Sequence, residues 1–377
     1  MSPARHCAKR RQVHSGFTLL ELMVGLSVGL VATLAITQIV LNAEGHKRTT
    51  VSGTDAQVAG ILAMDTLRSA IQSAGYGYSS LKATIGCPLE ARFNGNPIPG
   101  FAAQLVPVAI TDGDADAPDE IRVLSSSKAG LALPLAVTDP GYVPADPTLG
   151  SSFPVTYAAG VAPLDLLLAY HEGSPCQVFQ ASAVDAGRVH RSTDSGWNPA
   201  GFPSQSFSAN AFLVNLGALE DVAYSVGDAG TLQFNQLQIG AHSSPSYSGH
   251  VSLYSNIVNL QAYYGKASSV DGVSVLTGPI DTWDTTSPSS NAQWLQVRAI
   301  KIALVSRSEQ YEKNAVTTRD PQWDIGTNTT IAGSFACGSS QCITLKIPRA
   351  PGSTDWQHYR YKVFDSVVPL RNLLWGA

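Results

Sequence analysis

Charge is what this chain has least of. Asp, Glu, Lys and Arg make up 14% of its 377 residues, against about a quarter in ordinary globular domains. Bases are outnumbered by acids, 24 to 28. Four of the bases, Arg5, Lys9, Arg10 and Arg11, fall within residues 1–16, which hold no acid. From residue 17 onward 20 bases face 28 acids, with no basic stripe. That makes a poor nucleic-acid binder, because phosphate contacts need clustered Lys and Arg. Catalytic signatures are missing too: there is no G-x-S-x-G elbow, no P-loop, no G-x-G-x-x-G after a strand and no H-E-x-x-H. The eight histidines are scattered. His190 stands near Asp194 and Ser195, but neighbours in sequence do not build the converging geometry of a triad. The expectation is a protein that is not an enzyme and has no cofactor.

Metal ligands are sparse as well. Of five cysteines, Cys7 lies in the basic leader, leaving Cys87, Cys176, Cys337 and Cys342. An even number in a chain rich in Gly and Pro fits disulfides in an oxidising compartment. Cys337 and Cys342 are close enough to close a small loop around Gly338, and Cys87 would then pair with Cys176 by default. Buried free thiols are the alternative. No second Cys/His pair sits at zinc spacing. Asp112, Asp114 and Asp116 alternate like the start of a calcium loop, but the sixth position is Ala117 and the twelfth Val123, where that loop needs Gly and Glu. The expectation is no metal, and a solvated acidic turn ahead of a strand.

What the chain does have is one long apolar run, FTLLELMVGLSVGLVATLAITQIVL, at residues 17–41. Its 25 residues carry a single charge, Glu21. At ~1.5 Å per residue it can cross a hydrocarbon core of ~30 Å. The basic leader predicts a cytoplasmic N-terminus, with everything after about residue 42 on the far side. A carboxylate inside a membrane helix costs roughly 2.5–3.5 kcal/mol, so Glu21 calls for a partner. Gly25 and Gly29 form a G-x-x-x-G, a spacing that permits close helix contact in lipid. Beyond the run, Val51, Val58, Ile61, Leu62, Met64, Leu67 and Ile71 recur at helical spacing with Asp55, Gln57, Asp65 and Arg68 between them. The pattern stops at Gly75-Tyr76-Gly77. One helix from about residue 17 to 73, ~85 Å long, is predicted.

From about residue 85 short apolar or alternating runs are separated by Gly, Pro, Ser and Asp clusters, which reads as β structure. Strands are expected at 120–124, 164–171, 177–184, 253–264, 295–306 and 359–364. A hairpin is expected from 223–226 and 231–234, joined by Gly227-Asp228-Ala229-Gly230. Segments 139–154, 195–206 and 279–292 read as loops. The whole reads as α+β, with the amphipathic helix packed on a mostly antiparallel sheet.

The string GFTLLELMVGL, residues 16–26, resembles the class III signal of type IV prepilins and type II secretion pseudopilins. The resemblance implies cleavage after Gly16 by a prepilin peptidase, N-methylation of Phe17, and an assembly role for Glu21, whose carboxylate would meet the N-terminus of a neighbouring subunit. Later blocks, LRSAIQSAGYGY (67–78), IVNLQAYYG (257–265), VRAIKIALVSRSEQ (297–310) and YRYKVFDSVVPLRNLLW (359–375), together resemble the PilW family of type IV pilus assembly proteins, which are minor pilins. That implies a pilin-like fold divided into a cleaved leader (1–16), a membrane-spanning half-helix (17–41), an amphipathic half-helix (42–75) and a periplasmic β-rich domain (76–377). It implies an inner-membrane protein that primes or caps the filament, with other minor pilins, the major pilin, the peptidase, the inner-membrane assembly platform and a tip adhesin as partners. Arg307, Arg360, Arg371 and Asn372 match positions in those blocks and are expected to serve in ion pairs and caps. Two alternatives remain: a type II secretion minor pseudopilin of the J class, and a membrane-anchored adhesin presenting Trp197, Phe202, Trp283 and Trp294 on its loops.

Overall fold

The computed structural model of the chain describes residues 16–113, 117–128, 133–240, 244–267, 280–327, 329, 331–350 and 352–375. The leader 1–15, Asp114 and Asp116, and the side chains of Val51 and Asp55, lie outside the described part. The fold is α+β: an apolar N-terminal helix followed by a mostly antiparallel β domain. Two compact units divide it, Met1–Ser52 and Gly53–Ala377.

Helix α1 spans Leu19–Ser73. In the first unit its apolar side chains, from Leu19 to Leu41, are exposed. In the second unit it buries Ala56, Gly60, Ala63, Met64, Leu67 and Ile71. Val58, Ile61 and Leu62, expected on that face, are instead 51%, 56% and 47% exposed. The reason is approach distance. A Cβ at Gly60 would stand 2.1 Å from the Phe364 ring, so the close approach turns the small residues there toward the sheet, while Met64, Leu67 and Ile71 are buried as expected. The helix ends where Gly75 takes φ +76°, a conformation cheap only for glycine. Gly75 N–H then donates to Leu124 O at 2.8 Å, and Ser126 N–H to Tyr76 O at 2.9 Å, tying the stop to the sheet.

Three larger sheets follow. The first runs Asn96–Pro97, Leu89–Phe93, Cys176–Gln180, Leu166–Tyr170, Phe212–Gly217, Leu135–Ala136, and holds a parallel pair, Leu89–Phe93 with Cys176–Gln180. The second contains the expected hairpin, lengthened to Leu219–Gly227 and Thr231–Gln238, flanked by Glu120–Ser126, Val108–Thr111, Ser246–Tyr247 and Val251–Ser255. The third runs Thr282–Asp284, Ile257–Lys266, Val297–Arg307, Tyr361–Pro369. Two small three-stranded sheets complete the described strands.

Several expected boundaries move. The run 253–264 is two strands, Val251–Ser255 and Ile257–Lys266, because Asn256 sits at φ +63° and turns the chain. The run 177–184 divides into Cys176–Gln180 and Ala183–Asp185. The expected loops contain Ser152–Pro154 and Thr282–Asp284 as strands and a one-turn helix, Asn291–Trp294, capped by Ser290. The main core joins α1 to all three large sheets. A second core holds the stacked rings of Tyr142, Phe153 and Phe179, and a third lies behind the Ile257–Lys266 and Val297–Arg307 strands around Trp323.

Candidate functional site

The N-terminal segment is shaped by helix capping. Thr18 precedes α1; its carbonyl accepts Leu22 N–H at 3.1 Å and its hydroxyl accepts Glu21 N–H at 3.3 Å. Thr18-x-x-Glu21 is therefore an N-cap pattern with an acid in the first turn, where the helix dipole favours negative charge. Sequence reading weighed Glu21 as a membrane charge and passed over this spacing, which was legible. Phe17 is 83% exposed. A side chain added at Gly16, Gly25 or Gly29 would meet nothing within 4 Å among the described residues. Gly25 and Gly29 line one shallow hollow with Phe17, Glu21 and Thr33. Polar groups inside the apolar run bond back along the helix: Thr33 Oγ1 donates to Leu30 O at 2.9 Å and Thr37 Oγ1 to Thr33 O at 2.7 Å. That lowers their cost in lipid.

In the second unit two disulfides cross the fold. Cys87–Cys176, Cα atoms 6.0 Å apart, ties the segment ahead of Leu89–Phe93 to its parallel partner, and Cys337–Cys342, 5.8 Å apart, closes the Phe335–Cys337/Ser340–Thr344 hairpin. Arg360 pairs with Glu312 at 2.5 Å. The Arg307 guanidinium lies over the Tyr359 ring at 4.7 Å, while Arg371 is exposed. Asn372 caps α1 from the far end of the chain. Its Nδ2 donates to Gln72 O, Ser73 O and Ala74 O at 3.4, 3.2 and 3.0 Å. These are carbonyls that the end of α1 leaves without helical partners. Asn372→Ala is expected to cost about 1 kcal/mol, read as a thermal midpoint of the full chain in detergent lowered by roughly 2 °C; an unchanged midpoint would count against the cap.

Two expectations about side chains are corrected. The adhesin alternative needs aromatic rings on the surface, yet Trp197, Phe202 and Trp294 are 2–3% exposed. Trp283 is partly covered, facing Lys301, whose Nζ lies 5.5 Å from the Trp283 and Trp323 rings and donates to Ile325 O at 2.6 Å. Burial lowers the Lys301 pKa. The solvated acidic turn is the second. Asp112 does accept the Thr285 hydroxyl at 2.9 Å in the open, but Asp119 is 1% exposed. Its carboxylate accepts Gly113 N–H at 3.0 Å and Ala262 N–H at 2.7 Å, and burial pushes its pKa up to about 7. Among the described residues no three His, Cys, Asp or Glu side chains gather as a metal site. His190 pairs with Asp185 at 2.7 Å, while Ser192 Oγ donates to Asp194 and Ser195 Oγ to Gln180, so no triad forms. A further network that sequence reading missed links Arg122, Asp221 and Tyr247. Arg122 Nε donates to Asp221 Oδ1 and Tyr247 Oη to Asp221 Oδ2, both at 2.6 Å.

An apolar helix opening on Gly-Phe-Thr with Glu at its first turn, joined to a disulfide-bonded β domain, marks a prepilin-class, single-pass membrane-anchored protein. Residues 11–37 match the prokaryotic N-terminal methylation motif. Residues 222–372 match the family described as Type IV Pilus-assembly protein W. The chain is therefore similar to the PilW family over residues 222–372 and to prepilins at its N-terminus over residues 11–37. That second match begins in the Leu219–Gly227 strand and ends at Asn372, so it takes in the third sheet and the residue that caps α1. No curated protein and no solved structure matches the chain.

Proposed function

We propose that the chain is a PilW-like minor pilin that primes or caps a type IV pilus together with other minor pilins. The observation that carries the reading is that one chain holds both the methylation motif at 11–37 and the PilW match at 222–372. The leader stays in the cytoplasm and the β domain lies in the periplasm. Two disulfides support that orientation, since they persist in an oxidising compartment, as does the basic leader on the other side of the apolar run. Prepilin peptidase cuts after Gly16 and methylates Phe17, and the subunit then engages the assembly platform, the major pilin and a tip adhesin. Nothing in the described fold needs glycine at position 16, which leaves recognition by the peptidase as the reason for its small size.

The test is the intact mass and N-terminal sequence of the chain extracted from its native membrane. The expected product starts at methylated Phe17. Gly16→Leu is expected to leave a chain starting at Met1, with Gly16→Ala tolerated far better. A wild-type chain starting at Met1, or cut near residue 42, would overturn the prepilin reading.

A further inference from the structure

Each sheet end is a row of backbone groups, and most here are short. Strands at the sheet ends such as Asn96–Pro97, Ser246–Tyr247, Thr282–Asp284 and Phe335–Cys337 have two or three residues, and among the described strands at sheet ends all but one have five or fewer. The exception is Tyr361–Pro369, nine residues at the end of the third sheet. Its register with Val297–Arg307 runs from Ala299↔Pro369 to Arg307↔Tyr361 without a shift. Leu370 N–H donates to Arg298 O at one end and Ser308 N–H to Arg360 O at the other. The even-numbered residues are therefore the hydrogen-bonded set, and Val363, Asp365 and Val367 turn their N–H and C=O groups outward. Asp365 is exposed and Val367 is 50% exposed. Proteins blunt long open edges with bulges, short strands, charged side chains or Pro; this edge is neither short nor bulged, and its blunting residues are Lys362 and Asp365, with Pro369 only at its end.

We infer that the Tyr361–Pro369 edge is a docking site for an extended strand from another pilus subunit, which adds to the third sheet as a fifth strand. The inference rests on the pilus reading above. Backbone pairing selects an extended guest, and the side chains describe it: apolar residues beside Val363 and Val367, with a basic residue opposite Asp365. A second copy of this chain fits poorly. Full antiparallel overlap of two nine-residue edges sets the central residue, Asp365, against itself, and like charges directly opposite destabilise a pair. Gly60 of α1 packs on Phe364 of the same strand, so a guest here is added to the sheet that carries the helix.

The test places a photo-crosslinking phenylalanine at Val367 of the full chain in native membranes, with Val251 on the second sheet as control position. An adduct with a different pilus subunit from position 367 and none from 251 is expected. Val367→Pro removes an outward N–H and no bond to Val297–Arg307, and it is expected to lower filament number by about tenfold with both disulfides still formed. An adduct with this chain alone, no adduct, or wild-type filament number in Val367→Pro overturns the docking site. If Val367→Pro assembles normally while Glu21→Ala does not, only the docking site falls. If both assemble normally, the pilus reading falls with it.

Discussion

Glu21→Ala is expected to leave cleavage after Gly16 and methylation of Phe17 intact while filament assembly falls by about two to three orders of magnitude, the scale set by stranding one partner of a buried ion pair at roughly 3–5 kcal/mol. The cost of the charge comes first. A carboxylate in hydrocarbon is unfavourable by roughly 2.5–3.5 kcal/mol, and the described contacts of Glu21 supply one backbone bond from its own N–H to Thr18, not a cation. In the pilus reading proposed above, a methylated Phe17 amine from a neighbouring subunit is the cation that would meet Glu21 at that depth, and in low dielectric such a pair selects one register of helix against helix. Alanine is a better helix former than glutamate, so α1 itself is retained and the loss reads on assembly. Counting filaments by electron microscopy, beside the N-terminal mass of the variant, separates the two steps. Wild-type piliation by Glu21→Ala would remove the assembly role.

The second large effect is on pH. Burial holds the Asp119 carboxyl up near 7, with Asp112 adding to it and the Gly113 and Ala262 N–H bonds opposing it. A carboxyl raised in the folded state binds its proton more tightly there than in the unfolded chain. The stability it contributes is whole below the unfolded value of 3.8 and is lost as pH rises through about 7. The span corresponds to about 4 kcal/mol. Thermal unfolding of the full chain in detergent at pH 5 and pH 8 is expected to show a wild-type loss that Asp119→Asn, which carries no titrating proton, largely removes. Equal pH dependence in the two proteins would contradict the assignment.

Local composition hides the burial of Asp119. In the string DGDADAPDE it is one acid among five, and composition predicts solvent for them all. What buries it is Ala262, 143 residues away, whose N–H it accepts at 2.7 Å on the third sheet. The same holds for Trp197 and Trp294, whose Pro- and Ser-rich neighbours read as open loop but whose rings are buried in the main core, and for Phe202, 3% exposed with the Arg92 guanidinium 5.8 Å from its ring. Asn372 caps α1 across 298 to 300 residues of chain.

The sequence by itself determined whatever depends on near neighbours. The uninterrupted apolar run sets a helix long enough for a membrane, Gly75 and Gly77 stop it, Thr18-x-x-Glu21 starts it, and Gly227 to Gly230 turns one hairpin. Each is settled by backbone preference and local hydrogen bonding within a few residues. Tertiary structure alone decided which face of α1 is buried. Val58, Ile61 and Leu62 are exposed while Ala56, Gly60 and Ala63 face the sheet beside Met64, Leu67 and Ile71, because at Gly60 the approach to Phe364 leaves no room for a side chain. Periodicity reports how often apolar residues recur; it carries no information about how close the partner surface will come.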